Sequence, residues 1–358
     1  MSLGFSVYFG LDNSMEENIK LLIDAKKMGF SRIFTSLHVP EADYKILRDE
    51  VKEFFRIAKD YQMDIISDVS PNTFKFLNIE NMNLKELKNL GVKTLRIDFG
   101  YSEEEIVKMS KNTYGIKLQL NASTVTEEFL IKLDRMGMNY DNVDALHNFY
   151  PREGTGISEE CMVEKNFILS NRGIEVGAFI ESNNRKRSPL KNGLPTLEEH
   201  RGKEVRNCAN HLFALGNTSV FIGDSLPSYE ELKNLSQLRQ DAIELRIKLK
   251  VHDKIIEELL KQVYNSRIDE ARDVIRAAES RLILDKNKVK PLNTVDKNIG
   301  DIVIDNVDYG RYMGELQIIK VNQKADIRTN VVASILQEDI HLLKYIKGGK
   351  KFYFSIVN

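Results

Sequence analysis
Six times along this chain a helix-like stretch closes on a glycine and a short apolar run follows. Gly29-Phe30 leads into residues 31–36, Gly91-Val92 into 93–99, and Gly115-Ile116 into 117–120. Gly137 leads into 142–146, Gly173-Ile174 into 175–180, and Gly216 into 219–222. A glycine in the left-handed region stops a helix, and an apolar run without alternation reads as a strand buried on both faces. Residues 5–10 and 64–67 supply two more such strands. Eight β-then-α units predict an α/β fold, a (β/α)8 barrel of the TIM type, with its chemistry at the carboxyl ends of the strands.

The helices are marked by their starts. Ser14-Met15-Glu16-Glu17, Ser102-Glu103-Glu104-Glu105, Thr196-Leu197-Glu198-Glu199 and Ser228-Tyr229-Glu230-Glu231 all fit the capping box, in which a hydroxyl and a carboxylate satisfy free amides of the first turn. In the first helix Ile19, Leu22, Ile23 and Lys26 are expected to share the inward face, with Lys26 snorkelling at its edge. The eighth helix is expected over residues 229–250, and 267–281, with Arg267, Arg272, Arg276 and Arg281, also reads as helix.

A β pattern then begins near residue 300, through Asp301-Ile302-Val303-Ile304 and Tyr309-Gly310-Arg311-Tyr312, and returns at 327–333 and 351–357. The chain has 358 residues, more than the roughly 250 of a plain barrel. A barrel over 1–244 followed by a small, mostly β domain over 245–358 is the predicted organisation.

Charge and composition narrow the function. Lys and Arg number 52 against 53 Asp and Glu, a net charge of −1. That balance gives no bulk attraction to nucleic acid or to an anionic membrane, though a local basic pocket is permitted. No apolar run is long enough to span a bilayer. The N-terminal residues run straight into the first strand without a signal-peptide pattern. Two cysteines, Cys161 and Cys208, suggest no disulfide framework, so a cytoplasmic protein is expected. The scattered histidines predict no metal site.

Nearly every strand delivers a polar or charged group where it ends. The candidates are His38 and Glu41 after strand 2, Asp68 on strand 3, Arg96 and Asp98 on strand 4, and Asn121 on strand 5. His147, Tyr150 and Arg152 follow strand 6, Glu181 strand 7 and Asp224 strand 8. Arg96 and Asp98 share one side of their strand, either as an internal ion pair or as site residues. His38 and His147 read equally as hydrogen-bonded rim residues, and Asp224 as a cap for the helix after Ser228. The long loop after strand 7 carries Arg185, Lys186, Arg187 and Lys191. Phosphate sites in barrels often lie near this loop, and a solvated charged lid is the alternative. Arg281 and Arg311 in the second domain are either surface ion pairs or anion ligands.

Three segments resemble the MupG family of 6-phospho-N-acetylmuramidases: Gly4-Phe5-Ser6-Val7-Tyr8, the stretch from Phe34 to Glu41, and the run from Asp305 to Leu316. The resemblance extends over both domains. It implies a TIM-type barrel followed by a cyclophilin-like domain. It also implies cytoplasmic hydrolysis of N-acetylmuramic acid 6-phosphate–N-acetylglucosamine, a phosphorylated amino-sugar disaccharide, during cell-wall recycling, with no cofactor.

By position and chemistry, Glu181 is the expected acid, since it follows the apolar Ala178-Phe179-Ile180, and Asp98 is its partner. Arg96 keeps Asp98 ionised. If the sugar's own acetamido oxygen attacks, Asp98 orients that group instead. Asn121, His147 and Tyr150 are expected to bind hydroxyls, Arg152, Arg185 and Arg311 the phosphate or lactyl carboxylate, and Asp68 and Asp224 complete the site. Two other readings stay open. A pyridoxal-phosphate barrel needs a Schiff-base lysine, which strand 1 lacks, and a non-catalytic sugar-phosphate binder needs the arginines without the acids.

Overall fold
The structure, a computed structural model, describes residues 2–36, 44–69, 83–97, 100–284 and 288–357. The chain forms two compact units, Met1–Leu238 and Arg239–Asn358. In the first, eight parallel strands close a barrel in chain order. They are β1 (Ser2–Val7), β2 (Arg32–Ser36), β3 (Asp64–Val69), β4 (Val92–Ile97), β5 (Lys117–Asn121), β6 (Val143–Leu146), β7 (Glu175–Ile180) and β8 (Ser219–Ile222), and β8 pairs back onto β1.

All six glycines that mark helix ends adopt positive φ, between 72° and 104°. Capping boxes form at Ser14, Ser102 and Ser228. The fourth expected box does not. Thr196 instead accepts from the Phe179 amide and donates to the Asn148 carbonyl, clipping the loop to β7, and only a short 3-10 turn, Glu198–His200, follows. The first helix, Met15–Lys27, buries Asn18, Leu21, Leu22 and Ala25 rather than the stripe through Ile19, Ile23 and Lys26. Its register is set by Asn18, whose amide oxygen accepts from Asn13.

The lumen is filled in layers. Tyr8, Phe34, Ile66, Leu146, Phe179, Phe221 and the loop residue Leu194 form one buried cluster. Gly4 on β1 makes room for the Phe221 ring, which would overlap any Cβ there. Below this layer lies a buried ionic cluster that hydrophobic periodicity does not reveal. Arg32 donates through Nε to Asp64 at 3.1 Å and through Nη2 to Asp144 at 2.8 Å. Thr94 and Gln119 donate to the same two carboxylates. These residues sit toward the amino ends of the strands, the face of a barrel given to stability rather than chemistry.

The second unit holds a seven-stranded sheet in the order β10-β15-β9-β14-β12-β13-β11. Its strands are β9 (Ile243–Leu249), β10 (Val263–Asn265), β11 (Val274–Arg276), β12 (Asp301–Asp305), β13 (Leu316–Ile319), β14 (Thr329–Ile335) and β15 (Lys351–Ile356). Among the described residues of this unit only β15 and β9 pair in parallel. Two helix expectations fail here. The eighth barrel helix stops at Ser236, and Ile-Glu-Leu-Arg-Ile-Lys-Leu becomes β9, as its strict alternation requires. Most of 267–281 is loop and edge strand, and Arg267 and Arg272 pair locally with Asp269 and Asp273 instead of lining a helix face. Among the described residues no helix is long and apolar enough to cross a membrane.

Candidate active site
Matched register places Asp68 beside Arg96, and Ser36 beside Asp68. Side chains alternate along a strand, and Ile66 belongs to the lumen cluster, so Asp68 shares the lumen face at the carboxyl end of β3. It is half-buried. Arg96 is buried, donates to the Leu146 carbonyl at 3.0 Å and to Asn148 Oδ1, and lies over the Phe34 ring at 5.8 Å. Phe149 packs edge-on against Tyr8, Phe34 and Phe179. The result is an aromatic floor bordered by a carboxylate and a guanidinium. Asp98, His38 and Glu41 lie outside the described residues.

The chain after β7 is nailed down by buried acids. Asp224, with no exposure, accepts the backbone amides of Ser182 at 3.0 Å, Leu194 at 3.2 Å and Arg187 at 3.0 Å. Burial pushes its carboxyl up, and those three amides pull it back. Its oxygens are committed to holding the loop, so the structure makes Asp224 a loop anchor rather than a sugar ligand.

Glu181 is buried as well. Its Oε1 accepts from the Gly202 amide and from Lys186 at 3.4 Å, while Oε2 has no hydrogen-bond partner. Burial raises its carboxyl above the usual range, against the opposing pull of Gly202 and Lys186. Gly193, at φ 85°, lies on Oε2 so closely that no side chain fits. Arg201 closes the same layer, donating to the carbonyls of Asn192 at 2.8 Å, Gly193 at 3.1 Å and Tyr150 at 3.0 Å. Burial so favours the protonated form of this acid, and the backbone at Gly193 covers its unpartnered oxygen.

The loop's cations divide by role. Arg185 donates through Nη1 to Glu17 at 2.9 Å, Asn13 at 3.1 Å and the Asp12 carbonyl at 3.2 Å, which ties it to the first helix and away from an anion site. Lys186 faces Glu181. The guanidinium of Arg187 instead lies over the rings of Tyr8 at 4.8 Å and Phe149 at 5.1 Å, and its Nε has no hydrogen-bond partner. In sequence Arg187 is indistinguishable from its neighbours; only the anchoring of the residues around it decides which cation turns to the floor.

His147 does not bind hydroxyls in this arrangement. Leu146 points into the lumen, so the next side chain points out, toward the helix Glu159–Ser170. Its Nε2 meets Asn166 Oδ1 at 3.0 Å and its Nδ1 meets Ser123 Oγ at 3.1 Å. The Asn166 amide nitrogen donates to Leu215, so Oδ1 is the acceptor and His147 carries its proton on Nε2. Burial first, with Arg96 and Lys165 adding to it, lowers the imidazole from 6.5 to about 4. Because the unfolded chain binds the proton first, this group's stabilisation is complete above pH 6.5 and drains away as pH falls toward 4. The full effect is about 3 kcal/mol. In His147→Asn the fall in melting temperature between pH 7 and pH 4.5 should be shallower than in wild type. Parallel curves would contradict the buried neutral imidazole.

Asn121 is buried, with Oδ1 accepting from Ser123 at 3.1 Å. Tyr150 is half-buried beside Pro195, and Arg152 is exposed. Arg311 belongs to the second unit, where it stacks on Tyr312 at 4.9 Å. Arg281 and Arg276 there reach Glu315, at 3.8 and 2.6 Å. Among the described residues Glu159, Glu199 and His211 bring ligand atoms within 4.8 Å of one another. His211 is already held by Glu159 at 3.5 Å and His200 at 3.0 Å, an arrangement that needs no cation.

Comparison with known proteins bears on both units. Residues 3–237 match the family described as 6-phospho-N-acetylmuramidase, N-terminal, and residues 243–355 its C-terminal counterpart. An uncharacterised protein of B. cereus has a crystal structure 30% identical in sequence, covering 99% of each chain with a TM-score of 0.84. A conserved Enterococcus faecalis protein of unknown function is 31% identical over 99% of this chain and 96% of its own, with a TM-score of 0.68. No curated protein matches.

Proposed function
Because the chain belongs to the 6-phospho-N-acetylmuramidase family, we propose that its substrate is the disaccharide N-acetylmuramic acid 6-phosphate–N-acetylglucosamine, hydrolysed in the cytoplasm during cell-wall recycling. The protein is a glycoside hydrolase acting on a phosphorylated sugar. A pyridoxal-phosphate enzyme or a non-catalytic binder is not favoured by that membership.

In this reading Glu181 protonates the leaving oxygen. Burial already keeps its carboxyl protonated more readily than usual, and Oε2 is the oxygen without a partner. Asp98 is assigned the partner role from its position two residues after Arg96. It attacks, activates a water, or orients the sugar's acetamido group. Asp68, Arg96, Asn121 and Tyr150 are assigned to the sugar's polar groups, and Arg152 to its anionic ones.

The observation that supports this most is the placement of Asp68 and Arg96, side by side at matched register above an aromatic floor, with a high-pKa carboxyl at the same rim. Sugars stack on aromatic faces, and their hydroxyls are recognised by charged and amide groups around them. The test is to incubate the full chain with the phosphorylated disaccharide and follow the products by mass spectrometry. N-acetylglucosamine and N-acetylmuramic acid 6-phosphate should accumulate in equal amounts; an intact disaccharide at high enzyme concentration would overturn the assignment.

A further inference from the structure
We infer that Arg187 is the residue that reads the phosphate of the sugar, a role no motif assigns to it. The inference rests on the functional reading above and deepens it.

The segment around Arg187 is anchored at residues 185, 187 and 188. Arg185 exchanges backbone hydrogen bonds with Leu226, at 3.1 and 3.2 Å, and spends its side chain on Glu17. The Arg187 amide is held by Asp224. Ser188 donates its amide to Asp12 Oδ2 at 2.8 Å and its hydroxyl to Oδ1 at 2.5 Å, and Ser225 donates to the same carboxylate at 2.7 Å. Burial pulls the Asp12 carboxyl up, but the Ser188 and Ser225 bonds outweigh it and hold it below its ordinary value. Asp12 therefore stays ionised and keeps its grip.

What this scaffold presents is one guanidinium, its Cζ 4.8 Å from the centre of the Tyr8 ring and 5.1 Å from that of Phe149. A cation–π contact draws on the charge of the guanidinium and spends none of its N–H donors on a carboxylate, so they serve an incoming anion. Nε is cut off from solvent without a hydrogen-bond partner. A buried donor left unmade is costly, and a charged acceptor recovers that cost. A phosphate matches the fork of donors in two-point fashion. Tyr8 supplies no competing negative charge, because burial raises its hydroxyl well above the ordinary value and that hydroxyl donates to the Gly223 carbonyl at 2.7 Å. The ordering cost is already met by the fold, so binding energy is not spent on arranging the loop.

The phosphate and the lactyl carboxylate of the sugar are both anions, and the experiment separates them. Binding to the full chain is measured by calorimetry with three probes: N-acetylmuramic acid 6-phosphate, N-acetylglucosamine 6-phosphate, which lacks the lactyl group, and N-acetylmuramic acid, which lacks the phosphate. Arg187→Met should weaken both phosphorylated probes by at least about tenfold, the scale of a charge-assisted hydrogen bond. It should leave N-acetylmuramic acid within about twofold. Arg187→Lys should recover part of the loss, since it restores charge but not the fork.

An equal loss for all three probes would make Arg187 a structural clamp. A loss for the two muramic acid probes that spares N-acetylglucosamine 6-phosphate would assign it to the carboxylate. No loss, or a wild type that holds neither phosphorylated probe, would also overturn the inference. A wild type that binds both yet leaves the disaccharide uncut would sink the hydrolase reading and leave this one standing.

Discussion
Replacing Glu181 by Gln is expected to lower kcat on the phosphorylated disaccharide by about 10²–10⁴-fold, the range a positioned general acid supplies, with KM changed by no more than about threefold. The substitution is nearly isosteric. Its amide oxygen can still accept from the Gly202 amide, so the loop keeps one of its anchors. What is lost is the proton. Burial favours the protonated carboxyl in wild type, and the variant should lose the alkaline limb of the pH profile that follows deprotonation of that acid. A second substrate separates chemistry from architecture. An aryl glycoside of the phosphorylated sugar, with a leaving group that needs no protonation, should be cleaved by the variant at a rate much closer to wild type. If Glu181 only anchors the loop, both substrates will suffer alike. Near-normal turnover of the disaccharide would remove Glu181 from the mechanism.

The largest expected effect on stability lies at the opposite end of the barrel. Arg32→Ala should cost about 3–5 kcal/mol, because it strands Asp144 without its cation in a nearly water-free lumen. Asp64 retains its bond from Thr94 and is partly open to solvent, so most of the penalty comes from Asp144. For a chain of this size that corresponds to a drop in melting temperature of roughly 10 °C. Turnover at 25 °C should be unchanged in the fraction that remains folded, since the cluster faces the amino ends of the strands. Replacing Arg32, Asp64 and Asp144 together by apolar residues of similar volume should restore much of the loss. A single-variant loss below about 1 kcal/mol would mean that water or local rearrangement screens the cluster.

How much of this was legible in the sequence follows from the range of the forces involved. Helix stops at Gly29, Gly91, Gly115, Gly137, Gly173 and Gly216 are local events, and each appears where the sequence puts it. β7 and β8 are bounded as the apolar runs predict. β1 covers Ser2–Val7 rather than residues 5–10, and Tyr8, just past its end, turns its ring into the lumen cluster and its hydroxyl to the Gly223 carbonyl. The alternation in β9 is equally legible, and it outweighs the helix expected over residues 229–250. Thr196 carries a sound capping pattern that a tertiary bond to β7 overrides.

The site divides in the same way. That polar groups gather at the strand ends is a consequence of topology and is legible in the sequence. Which of them face the lumen depends on parity, and parity turns His147 outward while it keeps Arg96 in. Arg185 and Arg187 differ only in what lies within reach, namely Glu17 for one and two aromatic rings for the other. Pairings such as Arg32 with Asp144 join residues over a hundred positions apart, and no spacing rule encodes them.

The account depends most on the claim that the barrel rim is built for a phosphorylated muramyl sugar and cuts it. The direct measurement is kcat/KM of the unaltered protein on the disaccharide with and without the 6-phosphate. The account predicts efficient release of N-acetylglucosamine from the phosphorylated form and a value at least about a hundredfold lower without the phosphate, the worth of a charge-assisted two-point contact. Equal values, or cleavage of neither, would contradict it.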